Sequence, residues 1–407
     1  LVARNQLYPV DSSDWQHRAY KPKFRLDYIG GGTGLGIGSN SLFGTQAGMA
    51  GGLDMLFGDI LGNQQMYAGL NINGQVYDFG GQVAWLNRKK PLIWGASISH
   101  IPYRSGYYLP LQYDTVLIEG EPVEAVNLPT NLIRMFENRA AVFGQRAFSR
   151  TLRVEAGASY ARYNYRVERF NNYYTSDGAF FLGSTRKVED PPPGFSLSSI
   201  NAALVSDNSW FGLASPLEGY RYRLGVEQFF GYWNFYQLTA DFRRYVYMRP
   251  VSLAVRALHI GRYGRDADQL LPYYLGSQSL VHGYTVLSVS EQGENSITFE
   301  ELTGSRLLVA NAEIRLPLSG PGQMAMIPSN VFFTELAFFL DGGVAYDRFG
   351  DITLKPEANG PAPHPIFTTG VALRINLFGA LVLEPYYALQ LRNNGRRVFA
   401  LNIVPGW

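Results

Sequence analysis

Leu275, Gly276, Ser277, Gln278, Ser279, Leu280, Val281, His282, Gly283 and Tyr284 form the stretch on which the fold turns. They lie inside the connection from Gly264 to Ser305, about forty residues with little alternation, in a chain whose other segments mostly alternate tightly. A connection of that length within a compact domain needs a reason, and it is usually functional. What surrounds it decides the reason.

The 407 residues are 46% hydrophobic, 14% aromatic and 17% charged, enough for one large or two ordinary domains and too apolar for disorder. Thirty-five basic residues against 33 acidic give a net charge of +2, with no basic face or arm of the kind nucleic acid requires. Cysteine is absent, so neither a disulfide framework nor a thiolate metal site is available. The first residue is Leu1 and no charged segment leads into an apolar run, so the chain reads as a processed or excised piece. No apolar run approaches the ~18 residues of a spanning helix. A helical membrane protein is excluded, which leaves a soluble β protein or a membrane β-barrel.

Residues 1–18 are polar and irregular and read as a linker or periplasmic extension, ahead of one domain over 19–407. Alternation then begins. Phe24, Leu26 and Tyr28 share one face of a strand, with Lys23, Arg25 and Asp27 on the other. The same division separates Leu152, Val154 and Ala156 from Arg153 and Glu155, and Tyr222, Leu224 and Val226 from Arg221, Arg223 and Glu227. It also separates Ala310, Ala312 and Ile314 from Asn311, Glu313 and Arg315. A water-filled lumen explains a charged face repeated along so many strands, but a sandwich with a dry core would alternate too.

The pattern predicts about 16 strands, near 20–29, 45–58, 64–73, 76–86, 92–103, 139–148, 151–167, 197–206, 219–230, 234–247, 251–263, 306–318, 330–343, 366–378, 380–391 and 397–405. The long connections, 30–44, 104–138, 168–196, 264–305 and 344–365, all follow odd-numbered strands, and the turns after even-numbered strands are mostly short. Long loops on one rim and short turns on the other is the asymmetry of a closed antiparallel outer-membrane barrel, and it places both termini on the periplasmic side. Closure follows from the solvent, since a sheet edge in lipid leaves backbone groups without partners.

In this setting Ser279 to Tyr284 resembles the loop signature of the bacterial surface-antigen superfamily, the BamA-type outer-membrane barrels, in which Val-Arg-Gly-Phe/Tyr sits on a long loop folded into the lumen between strands 11 and 12. Asn311 to Pro317 looks like that family's next strand. Phe338 to Gly343 looks like its Phe-x-Asp-x-Gly strand, and Gly370 to Arg374 like its penultimate-strand pattern. In the family the loop Arg reaches the Asp of the Phe-x-Asp-x-Gly strand. By matching position the lock here comprises Val281, His282, Gly283, Tyr284 and Asp341, with Glu313, Arg315 and Gly342 as supporting lumen wall. His282 replaces a planar five-donor guanidinium with a shorter ring whose charge depends on pH.

A narrower likeness, in Tyr20 to Gly30, Asp59 to Asn63, Phe79 to Asn87, His100 to Tyr103 and Gly261 to Tyr263, is to the barrel that closes large bacterial proteins carrying a TolB-like β-propeller. It implies a missing N-terminal periplasmic domain. The resemblance further implies a membrane protein set in outer-membrane lipid and lipopolysaccharide, with client outer-membrane proteins or periplasmic and outer-membrane complex subunits as partners. Its role would be protein assembly or translocation, or anchorage of a periplasmic module. A seam between the first strand, with Leu26, and the last, with Leu401 and the terminal aromatic Trp407, would open to pair with a client strand.

Other chemistry fits less well. Gly30 to Gly38 lacks the Gly-x-Gly-x-x-Gly spacing and has no following Gly-Lys-Ser/Thr. The five His are scattered, and Glu119, Glu121 and Glu124 read as a solvated face more readily than as a Ca²⁺ site. Ser99 and His100 share a strand but point to opposite faces, a poor nucleophile and base pair, so a barrel hydrolase ranks below a passive anchor or diffusion pore. No cofactor or metal is expected, and no enzyme activity.

Overall fold

The computed structural model describes residues 20–30, 51–72, 78–118, 120–212, 214–284, 297–353, 363–377, 381–392 and 395–403. Among them there is no α-helix, and one large antiparallel sheet dominates. Its principal strands follow one another in chain order: β1 (Arg25–Gly30), β2 (Gly51–Gly58), β3 (Gln64–Ile72), β4 (Phe79–Asn87), β5 (Leu92–Tyr108), β6 (Glu121–Ala147), β7 (Leu152–Thr175) and β8 (Phe195–Asp207). They continue as β9 (Pro216–Gly231), β10 (Phe235–Met248), β11 (Val251–Tyr263), β12 (Arg306–Gly320), β13 (Phe333–Tyr346), β14 (Ile366–Leu377), β15 (Leu381–Gln390) and β16 (Arg397–Asn402). Each pairs antiparallel with the next, as short connections between alternating strands require.

The faces of these strands settle the choice that alternation alone left open. On β12, Asn311, Glu313 and Arg315 are buried and Ile314 is 52% exposed. On β13, Glu335, Asp341 and Phe339 are buried, with Phe338 and Leu340 exposed between them. Ile98, Val142, Leu224, Phe242, Val371 and Phe399 continue an exposed apolar surface around the sheet. Charged residues are seldom fully buried in water-soluble folds, and only when paired. A sheet that buries paired Arg and Glu on one face while exposing Ile and Phe on the other is inverted relative to a water-soluble sandwich, and its outer face suits hydrocarbon.

Two connections expected from the sequence as loops are strand instead. β6 runs for 27 residues and β7 for 24, against the ~10 that cross a bilayer, so 104–138 and 168–196 continue the sheet beyond the apolar zone. Gln112–Ile118 pairs with the start of β6, and Phe181–Glu189 pairs with the end of β7, widening this projecting sheet.

β1 pairs only with β2 and β16 only with β15 among the described residues, so the closed ring is not present in the pairing. Both terminal strands have only six residues here. Leu26 and Leu401 are half-exposed on these two edges. The expected linker 1–18, the segment Gly31 to Gly38, residues 45–50 of the second expected strand, Glu119 and Trp407 lie outside the described residues.

Candidate functional site: a loop pinned to a charged wall

Between β11 and β12 the chain turns inward over the sheet. Tyr273 and Tyr274 pair with Thr303 and Gly304 in a two-stranded ladder that makes the connection a folded unit of its own. Its apolar side chains Leu275, Val281, Tyr284, Ile297 and Leu302 pack on Leu307, Val309, Ala345 and Ile366 of the inner wall. Full burial of several such side chains contributes roughly 1.5–3 kcal/mol each. Two glycines permit the fit. Gly283 has φ +86°, a left-handed conformation, and a Cβ there would stand 3.0 Å from the Ala388 Cβ. A Cβ on Gly343 would meet Leu275 Cδ1 at 2.8 Å and Val281 Cγ2 at 3.2 Å. Gly342, the neighbour singled out in the sequence, faces away from the loop toward the Phe367 ring.

The wall grips the loop largely through its main chain. His282 N–H donates to Asp341 Oδ2 at 3.0 Å and Gly283 N–H to the Tyr386 hydroxyl at 3.4 Å. Carbonyl oxygens of Ser279, Leu280 and Gly283 accept from Arg256 (3.0 Å), Asn311 (2.8 Å) and Gln390 (2.8 Å). A buried loop otherwise carries unmet backbone groups, and here the strands supply the partners.

His282 is the side-chain pin. Its Nδ1 lies 2.6 Å from Asp341 Oδ2 and its Nε2 3.3 Å from Glu384 Oε1, with the ring stacked 4.4 Å from Phe339 and edge-on to Tyr386. Burial pushes the ring toward neutrality. The hydrogen bonds to Asp341 and Glu384, with their charges, outweigh it and hold the pKa up at about 10. The imidazolium that results donates from both nitrogens, one to each carboxylate.

Below the pin the inner wall carries a paired network. Arg374 binds Glu313 through two nitrogens at 2.9 Å, reaches Glu335 at 3.1 Å and also contacts Glu384. Arg315 reaches Glu313 at 2.6 Å. Four carboxylates, Asp341, Glu384, Glu313 and Glu335, face two guanidiniums here, and protonated His282 supplies a third cation.

The turn between β8 and β9 enters the same network from across the sheet. Ser215 Oγ donates to Glu335 at 2.7 Å and accepts from Arg315 at 3.2 Å, and Arg315 also donates to the Pro216 carbonyl at 3.0 Å. The sequence reading missed Ser215, Glu335, Arg374, Glu384 and Gln390 as site residues. For the four on strands a signal existed: each is a polar residue at an inward position of a strand whose other face is apolar. Ser215 offers no such signal.

Elsewhere along the inner face, the strands from β4 to β10 border a cavity of about 410 Å³ lined by residues including Glu137, Arg139, Glu155, Ser159, Arg223 and Glu227. Ser99 faces this cavity, whereas His100 is bonded to Asn138 at 2.8 Å and stacked on Phe136.

The Omp85 superfamily domain matches residues 129–397, about two thirds of the chain, including the pinned loop and its wall. The chain belongs to the Omp85 superfamily. At the level of the family this is a bacterial outer-membrane β-barrel of the BamA type, associated with protein assembly and translocation. Among solved structures the Omp85 chain is similar to BamA from Haemophilus ducreyi lacking POTRA domains 1–3, with a TM-score of 0.56 and 11% identity over 93% of this chain and 69% of that one. CdiB from Acinetobacter baumannii matches at a TM-score of 0.46 and 11% identity, over 87% of this chain and 55% of that one. CdiB from Escherichia coli matches at 0.43 and 12%, over 88% and 57%. At these identities the likeness is one of fold. No curated protein matches the chain.

Proposed function

We propose that this Omp85 barrel is a non-enzymatic assembly or translocation factor, closed in the membrane at a weak β1–β16 seam, with both termini periplasmic. The pinned Leu275–Tyr284 segment plugs the lumen, so a client strand engages the seam rather than the centre. The observation that carries this reading is the interior itself. A loop fixed by His282 to Asp341 and Glu384, above a wall of buried paired charges, supports a plug over an open diffusion pore. The two edge strands, by contrast, have few partners. β1 is exposed on both faces, and among the described residues neither β1 nor β16 has a second neighbour. An unpaired edge of this kind is a template for strand addition.

The chain contains no cysteine, so a disulfide placed across the seam is the only one that can form. Oxidised Leu26→Cys/Leu401→Cys protein should lose client insertion and regain it on reduction. Full activity in the locked protein refutes the seam mechanism and leaves the barrel as an anchor for a periplasmic module. Deleting 275–284 should raise single-channel conductance, and unchanged conductance removes the plug.

A further inference from the structure

Beyond the apolar zone one edge of the projecting sheet is bare. The strand Gln112–Ile118 pairs with the start of β6, from Gln112 opposite Asn127 to Ile118 opposite Glu121, and among the described residues it has no neighbour on its other side. Two residues separate Ile118 from Glu121, the tightest hairpin connection, and the pair flanking such a turn is hydrogen-bonded. Backbone groups therefore face β6 at residues 112, 114, 116 and 118, and face outward at Tyr113, Thr115 and Leu117. The Thr115 N–H agrees with this, because it donates not to a strand but to the adjoining carboxylate, Asp114 Oδ1, at 2.8 Å. Edges are commonly guarded by proline or by positive charge. Pro110 stands at the base of this one, but from Gln112 to Ile118 there is no Pro, Lys or Arg. Tyr113 and Leu117, two outward positions on one face, are 85% and 75% exposed.

We infer that this edge pairs antiparallel with the same edge of a second copy of the chain, seated in a facing membrane. The sequence of the edge selects the copy. Outward backbone groups sit on odd-numbered residues, so odd must meet odd, and the register centred on Thr115 aligns all seven residues of the strand. It sets Tyr113 against Leu117 of the second copy and Thr115 against its own equivalent, both favourable cross-strand pairs, and brings no like charges together. Centring on residue 114 would set Asp114 against itself. Symmetry then selects the facing membrane. The twofold axis relating antiparallel strands is normal to their sheet, and the normal to a barrel wall is perpendicular to the barrel axis, so the second barrel is inverted. Two barrels inserted the same way up in one membrane cannot meet in this manner. Two in opposing membranes can, because about ten residues of β6 counted back from Ala147 cross the bilayer, and Glu124, level with Thr115, stands roughly 30 Å beyond them at ~3.4 Å per residue and a tilt near 45°. A ladder of seven residues is a weak contact, and many copies between two membranes supply the avidity.

The inference rests on the membrane orientation proposed above, and the test separates the two. The full chain is reconstituted into phosphatidylcholine vesicles carrying a green or a red dye, and insertion, protease access to the projecting sheet and green-to-red tethering are measured separately. Vesicles that both carry wild-type protein should tether, and mixtures with bare vesicles should not. Thr115→Lys on both sides, or Thr115→Glu on both sides, places like charges on the twofold axis and should cut tethering roughly tenfold, whereas vesicles of the two variants mixed together should recover it. That recovery also excludes misfolding as the cause of the loss. Asp114→Ala frees the Thr115 N–H for a strand partner and should increase tethering. Unchanged tethering in the two Thr115 variants, or no recovery on mixing them, overturns the paired edge. Tethering to bare vesicles would make the partner a lipid surface and overturns it as well. Inserted, protease-accessible protein that fails to tether overturns this inference alone, and a chain that does not insert overturns the membrane reading beneath it.

Discussion

The inner faces of β12–β15 and of β6–β10 line one interior but treat their charges differently. On β12–β15 every ionised group of the network is buried and bonded across strands, and a loop seals it from above. On β6–β10, Arg223 pairs with Glu155 at 2.5 Å and Arg139 with Glu137 at 2.6 Å, yet the Arg223 side chain is half-exposed beside the cavity. A buried pair is costly to break, because removing one partner strands the other in a low dielectric. A solvated pair loses little. The first half therefore acts as the rigid side of the molecule and the second as its wet side.

That contrast can be broken most forcefully at Arg374. Arg374→Ala leaves Glu313, Glu335 and Glu384 short of a cation and should cost about 3–5 kcal/mol in urea unfolding. A loss below about 1 kcal/mol would mean water already reaches these carboxylates. Next in size is the pin. His282→Ala removes two charge-assisted hydrogen bonds and should cost about 2–3 kcal/mol and open the loop to protease. Its pH dependence has a definite sign. The folded pKa is raised from 6.5 to about 10, so the stabilisation is complete below about pH 6.5 and is lost as pH rises toward 10. Loop protection that instead weakened on acidification would contradict a protonated pin.

Gly343→Val tests the steric side of the same contact. Leu275 must retreat from the new side chain, at about 1–3 kcal/mol, and the loop should exchange amide hydrogens faster. The smallest effect is expected on the wet side, where Arg223→Gln should change stability by less than about 1 kcal/mol and, in protein lacking 275–284, alter the ion selectivity of the opened lumen instead. A large destabilisation there would erase the distinction between the halves.

The strands crossing the apolar zone could be read from the sequence because hydrocarbon outside and water inside impose a two-residue period. Once β6 leaves that zone the constraint lapses. Glu121 to Arg134, with Pro122 and Pro129 among apolar and polar residues in no fixed order, carries no such period, which is why 104–138 looked like a loop. The pairing of His282 with Asp341 came through family resemblance, not periodicity. Glu384 and Arg374 stand on strands that were legible, but which inward charge meets which depends on neighbouring registers that a single sequence does not contain. Ser215 depends on a turn reaching across the interior, and a serine in a polar turn looks the same whether it ends in water or between Glu335 and Arg315.

The wall takes hold of Ser279, Leu280 and Gly283 by their carbonyl oxygens, a feature every residue type possesses. At exposed Ser279 the identity of the side chain is therefore nearly free, and at Leu280, which packs on the loop's apolar cluster, it needs only to stay apolar. Homologues can rewrite those letters while the path of the loop stays put, and a search for this architecture should look for Arg256, Asn311 and Gln390 on the strands before it looks for any fixed wording in the loop.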